Sequence, residues 1–262
     1  MKQRLKRIRA GRLVREVLWT PAFPSDSPKT RAEKSRCSTE ARRKINDRTS
    51  WQKLKTVLAT NFSGSDIVMT ATYDDRHIPY NRDDARLRLS RFLRALRKQR
   101  REHGQELRYV YCTEDKHGDG RLHHHIVLNG TGEDFAVLRS LWTYGQNLHF
   151  ELLDIYGYEE LARYLTKEAR EFGHAWVGAR SWVGSRNLKK PEIMPSEWVS
   201  GSVRLQPPQN AHVLSTESFE NSWGRFAYVE YLLPPEPKAV RTRPRAGAGK
   251  TSGNAGTVRP PT

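Results

Sequence analysis

The residues with the clearest chemical potential in this sequence are three consecutive histidines, His123, His124 and His125. On a β-strand, side chains alternate between faces, so His123 and His125 share one face and His124 points the other way with Ile126. Two imidazoles two positions apart can chelate a single cation. Glu114, on the strand that would pair with them across a hairpin at His117-Gly118-Asp119-Gly120, is the natural third ligand. Two nitrogens and one carboxylate suit Mn²⁺, Mg²⁺ or another divalent ion, with positions left for a phosphate oxygen. The competing reading is a fortuitous polar strand edge. It would suit a lone histidine better than three in a row opposite a carboxylate.

A second constellation is Tyr164-Leu165-Thr166-Lys167. The spacing predicts a helix from Tyr158 to Phe172, ended by Gly173, with Tyr158, Leu161, Ala162, Leu165, Ala169 and Phe172 as its buried stripe. Tyr164 falls on the flank of that stripe, from which its hydroxyl can reach past the helix to a site on the sheet. Tyr158 sits mid-stripe, where packing explains it. Taken alone, Tyr-x-x-Lys on a helix is commonplace.

Several elements must position these groups. Ser38 can cap a helix from about Thr39 through Trp51, Leu54 and Leu58. Asp66 opens a β-rich run to Tyr73. A helix begins at Asn81 or Asp83, carries the stripe Leu89, Phe92, Leu93 and Leu96, and ends at Gly104. Its other face holds Arg86, Arg94, Arg97, Lys98 and Arg101, read as a solvated surface in preference to a DNA contact. Strands are expected at Leu107–Glu114, Leu122–Leu128, Leu148–Leu153 and Phe226–Leu232, with a turn at Asn129-Gly130. The expected fold class is α+β: a central antiparallel β-sheet flanked by helices.

The chain has 262 residues, 46 Lys+Arg against 29 Asp+Glu, and a formal charge of +17. Such a balance points to a polyanionic partner, nucleic acid first. The charge is uneven. Residues 1–50 hold 15 basic and 5 acidic residues, and 238–262 hold 6 and none. The middle is nearly neutral. The expected organisation is a basic, loosely ordered arm (1–37), a catalytic domain (38–173), a Trp-rich irregular extension packing on or extending it (174–237), and a disordered basic tail (238–262). No apolar run approaches the ~18 residues of a membrane span, and no secretory signal is visible, so a cytoplasmic location is expected. Cys37 and Cys112 cannot make a disulfide framework or a four-cysteine zinc site. Gly249-Lys250-Thr251 ends like a phosphate-binding loop, but Pro244 stands where its first glycine is required.

Together these residues resemble the HUH endonucleases, whose catalytic domain has an RRM-like sheet, and among them the rolling-circle replication initiators (Rep) and phage-type replication-associated proteins. The His–x–His strand matches His123 to His125, with His124 where the family usually has an apolar residue. The nucleophile motif Tyr-x-x-Lys matches Tyr164 to Lys167. A first motif, a strand ending in Thr and Tyr, matches Met69-Thr70-Ala71-Thr72-Tyr73, and Glu114 fits the acidic ligand. The flanks Ser185–Glu192 and Ser222–Phe226 look like the phage-type branch. Histidines preceding the tyrosine is the Rep order, whereas relaxases usually place the tyrosine first.

The resemblance implies a nickase. Glu114, His123 and His125 would hold a divalent metal, and Tyr164 would attack single-stranded or hairpin origin DNA to give a 5′-phosphotyrosine. Lys167 would favour the phenolate, neutralise the phosphate, or cap a solvated helix face. Glu160 and Glu168, at the positions of a second tyrosine, make it a single-tyrosine enzyme. Thr72, Arg186, Lys189 and Lys190 are the DNA-contact candidates, and Trp176, Arg180 and Trp182 add stacking faces and charge. Unwinding and synthesis would need a host helicase and polymerase of a bacterial cell. The alternatives are a non-catalytic nucleic-acid-binding protein on the same scaffold and an HUH-type transposase.

Overall fold

The computed structural model describes residues 2–21, 39–115, 122–167, 181–221 and 224–235; side chains are described from Arg48 in the first helix, and those of Asp115 and Asn221 are not. The predicted hairpin tip at 117–120, the 168–173 end of the tyrosine helix, Cys37, Trp176, Arg180, Ser222-Trp223 and the tail with its Gly249-Lys250-Thr251 lie outside these residues. Eleven strands and four α-helices are found among the described residues, making an α+β fold with two antiparallel sheets.

The first sheet is the expected one. Its strands β3 (Ile67–Ala71), β4 (Tyr109–Asp115), β5 (Leu122–Leu128), β6 (Leu148–Leu152) and the short β7 (Val183–Gly184) are ordered β6-β3-β5-β4-β7. Strand alternation divides it cleanly. Met69, Ala71, Ile126 and Leu128 pack on α2 (Arg82–Glu102) and α3 (Asp134–Leu141), through Leu89, Phe92, Leu93, Leu96 and Leu138. Val110, Cys112 and Val127 point the other way, against α1 (Thr39–Asn61) and α4 (Tyr158–Leu165). The sequence signals for α2 hold in detail. The Asn81 side chain accepts from the amides of Asp83 and Asp84, and Gly104 lies at φ 66 just past the helix end, where a side chain would be strained. Helix α3 adds to the expected elements: its eight residues are too few for a firm periodicity.

The second sheet is a correction to the reading of the chain ends. Residues 2–19, expected as a loose arm, form the strands β1 (Lys2–Ala10) and β2 (Leu13–Trp19). They pair with β8 (Glu192–Ile193), β9 (Glu197–Ser200) and β11 (Gly224–Leu232), and β10 (His212–Asn221) closes the other edge. The extension, expected to be irregular apart from its last strand, thus supplies four strands of one sheet. The basic residues of the arm suit strands because carboxylates meet them across the sheet. Arg7 bonds Glu16 at 2.7 Å and Arg15 bonds Glu230 at 2.9 Å. One face of this sheet packs through Ala10, Leu13 and Leu232 on Leu54, Leu58 and Ala59 of α1. The other face is covered by Leu205 and Ala211.

Where the second sheet meets the helices, Lys55 of α1 is 1 % exposed. Its ammonium donates to Glu230 of β11 and, at 2.6 Å, to Glu159 of α4. Glu159 also accepts from Arg163 one turn along. Buried charges persist only when paired. This chain of ion pairs therefore locks α4 to the second sheet.

Candidate active site

Antiparallel register sets the first three side chains. On the α4 side of the first sheet, Glu114 lies opposite His123 and Cys112 opposite His125, with Thr70 opposite His125 on the far side. Glu114 Oε2 is 3.2 Å from His123 Nε2 and 2.9 Å from His125 Nε2. All three donor atoms lie within 4.8 Å of one another. Neighbouring ligands of a six-coordinate cation at ~2.1 Å stand about 3 Å apart, so this spacing fits one small divalent ion. The mixed nitrogen and carboxylate set agrees. Hydrogen bonds from His123 and then His125 hold the Glu114 carboxyl well below the ordinary carboxylate range, so it is anionic at neutral pH.

Thr70 belongs to the strand motif, but the sequence assigns it no role. Its Oγ1 is 3.0 Å from His125 Nδ1. A hydroxyl can accept a proton from Nδ1, which frees Nε2 as a ligand. Cross-strand register is the signal that finds it.

His124 takes the opposite face and leaves the site. It is fully buried, with Nδ1 2.9 Å from Thr113 Oγ1 and Nε2 2.7 Å from the Tyr73 hydroxyl. Its ring packs edge-on to Tyr73 and Trp142. Burial first, then the neighbouring His123 and His125, pushes its pKa down to about 3. It is a neutral core histidine.

Helix α4 brings the tyrosine. Tyr158, Ala162 and Leu165 are its buried stripe, and the Tyr158 hydroxyl donates to the Phe62 carbonyl at 2.6 Å. Tyr164, on the flank, is 50 % exposed, and its hydroxyl lies 3.3 Å from His125 Nε2. Their rings meet at 73° with centroids 5.0 Å apart. Burial first, then the Glu114 charge, raises the phenol above its usual value. Lys167 is exposed and lies two residues beyond the helix end at Leu165. Cys112 is buried on the same face as the histidines, and burial pushes its thiol up to about 12, which leaves it unreactive.

The remaining candidates are not all gathered here. Thr72, two positions beyond Thr70, donates to the Asn147 carbonyl at 2.5 Å. Arg186, Lys189 and Lys190 are exposed on a loop held by Asn187 to Glu106 and the Leu107 carbonyl, and by Asn61 to the Lys189 backbone. That anchorage is at the Leu107 end of β4, whereas Glu114 is at the other, about seven residues or ~23 Å along an extended strand. Trp182 is half-buried and packs on the core.

An antiparallel sheet that presents two histidines and a glutamate to a helix-borne tyrosine has the parts of a metal-assisted phosphoryl-transfer centre. Residues 66–169 match a family model of replication-associated proteins, the ORF2 type. The matched segment runs from β3 through α4, so it contains the histidine strand, Glu114 and Tyr164-Leu165-Thr166-Lys167. The resemblance read from the sequence is met at the level of a replication-associated protein family, and the match supports a role in DNA replication. No curated protein and no solved structure matches the chain. No helix among the described residues is long and apolar enough to cross a membrane.

Proposed function

We propose that this chain initiates rolling-circle replication by nicking single-stranded origin DNA through Tyr164 and later rejoining it. The observation that carries the reading is the convergence on one nitrogen: His125 Nε2 stands 2.9 Å from Glu114 Oε2 and 3.3 Å from the Tyr164 hydroxyl. A tyrosine that only packed would have no need to share that nitrogen with a carboxylate.

In this reading Glu114, His123 and His125 hold a divalent cation, Mn²⁺ or Mg²⁺. When bound, it supplies Lewis-acid polarisation of the scissile phosphate and offsets the Glu114 charge that otherwise opposes the phenolate. The Tyr164 oxygen attacks phosphorus, the bond to the 3′ oxygen breaks, and the phenol proton ends on that oxygen. The products are a 5′-phosphotyrosine and a free 3′-hydroxyl, which a polymerase can extend. Rejoining is the same step reversed. Tyr164 is half-exposed, which admits a strand. Lys167 neutralises charge on the phosphate. Position 160, one turn before Tyr164, is Glu160, so a single tyrosine serves. Duplex opening falls to a host helicase.

The test is covalent capture. The protein is incubated with a pool of single-stranded hairpin oligonucleotides and Mn²⁺ and run on a denaturing gel. A protein–DNA adduct is expected, lost in Tyr164→Phe and in EDTA. An adduct that survives Tyr164→Phe refutes the nucleophile. No adduct from the intact protein across the pool favours a non-catalytic DNA-binding role.

A further inference from the structure

The second sheet carries a feature that the catalytic reading does not use. Its helix-facing side is covered at one end only. Ala10, Leu13 and Leu232 lie under α1, while the other end runs past the helices. There the register aligns one residue from each of five strands. Phe219 pairs with Phe226, Phe226 with Trp19, Trp19 with Arg4, and Arg4 with Trp198. Paired residues point to the same face, so these five form a single row about 19 Å across. The row is built and accessible. Phe219 and Phe226 stack at 5.0 Å and 22°, and the Arg4 guanidinium lies 4.6 Å over the Trp198 ring. Phe219 and Trp198, at its two ends, are 58 % and 57 % exposed.

The surroundings are basic. Lys2 and Lys6 flank Arg4 on the same face of β1, by strand alternation. From Phe226 the surface continues into a groove between the sheet and the helices, lined by Arg15, Arg48, Trp51, Arg163 and Tyr228. Arg163 lies 4.2 Å over the Trp51 ring and is the neighbour of Tyr164 on α4. Of the two carboxylates in the groove, Glu159 is already held by Lys55 and Arg163. Aromatic faces set among cations, without a closed apolar pocket, suit a ligand with flat rings on an anionic backbone.

We propose that this row is a stacking platform for single-stranded DNA, separate from the catalytic centre, which grips the strand through its bases and phosphates while α4 presents Tyr164. The inference rests on the single-stranded DNA reading above and adds where the strand is held. Stacking tolerates any base, so the platform contributes affinity and leaves the choice of cleavage site to the catalytic face. Paired bases hide their faces, so duplex DNA gains little from it.

Fluorescence anisotropy tests this with the full chain carrying Tyr164→Phe, so that no cleavage intervenes, and a labelled mixed-sequence single strand of about 30 nucleotides, long enough to span the row. Trp198→Ala with Phe219→Ala removes two exposed rings and should weaken single-strand binding about tenfold or more, with an unchanged melting temperature. Duplex binding should change far less. Arg4→Ala should lower the slope of log affinity against log salt by about 0.7, the loss of one phosphate contact. Tyr80→Ala, which removes a 93 % exposed ring outside this sheet, should change nothing. Single-strand affinity unchanged in the double variant, or weakened equally by Tyr80→Ala, overturns the platform while leaving the replication reading intact. An unchanged affinity with a dimer-to-monomer shift in sedimentation would assign the row to a second copy of this chain. If the parent binds no single strand at all, both readings fall.

Discussion

Thr70 Oγ1 and His125 Nδ1 stand 3.0 Å apart on neighbouring strands, and this contact decides which histidine nitrogen faces Glu114 and Tyr164. The hydroxyl can receive a proton from Nδ1 and so leave the Nε2 lone pair for a cation. Thr70→Val keeps the shape and deletes that acceptor. It should weaken Mn²⁺ affinity by about 10- to 100-fold with little loss of stability. Calorimetric titration of Mn²⁺ into the variant checks this, and excess Mn²⁺ should restore nicking.

The histidine triplet separates chemistry from structure position by position. His125→Ala and His123→Ala should abolish metal binding while the fold persists. His124→Leu should do the reverse. It leaves the Tyr73 and Thr113 hydroxyls short of a partner in the core, at a cost of about 1–3 kcal/mol. Urea denaturation alongside the adduct assay, per folded molecule, distinguishes the two outcomes.

Lys55 is predicted to matter for stability more than any exposed ion pair in the protein. Lys55→Met leaves Glu230 buried without its ammonium and should destabilise by about 3–5 kcal/mol. Adding Glu230→Gln removes the stranded charge, so the double variant should lose less than the two single losses added together. Chemical denaturation of the four proteins of the cycle measures this.

Alkaline stability carries the mark of Tyr158. Burial pushes its phenol up to about 12, against about 10 in an unfolded chain. Below pH ~10 both states keep the proton and the full stability remains. From there to about pH 12 the unfolded chain ionises while the folded one does not, so stability falls, by about 2–3 kcal/mol across the window. Tyr73, Tyr111, Tyr228 and Tyr231 shift in the same direction. Tyr158→Phe should therefore reduce the alkaline slope without removing it, and should cost about 1 kcal/mol at neutral pH through the lost bond to Phe62. Melting temperatures between about pH 8 and pH 11.5, a range that brackets the unfolded phenol, test both parts.

The catalytic half of the molecule is readable in the sequence because its information is local. Alternation over three residues separates His124 from its neighbours, a helical stripe puts Tyr164 on a flank, and Asn81 and Gly104 bracket α2. The contact of Thr70 with His125 is not readable, since it depends on how β3 registers against β5. The second sheet is hidden for a stronger form of the same reason. Arg15 finds Glu230 across 215 residues of sequence, and nothing near Arg15 announces that partner. Viewed locally, the first strands are a basic stretch followed by prolines. The Arg186–Lys190 loop shows the converse hazard, for a basic composition names it while its anchorage puts it at the far end of β4 from Glu114.

The joining of β2 to β11 also sets a timetable for the chain. The first sheet has its four main strands between Ile67 and Leu152, whereas β1 and β2 must wait for residues up to Leu232 before their sheet exists. A two-stranded hairpin is marginal by itself, so during synthesis Leu13 and Leu18 emerge first and are covered last. That long-range closure makes the second sheet the slow step of folding and the aggregation-prone interval of the nascent protein. A chain arrested after α4 would hold its whole catalytic constellation while its amino-terminal strands still lacked the neighbour they are built to meet.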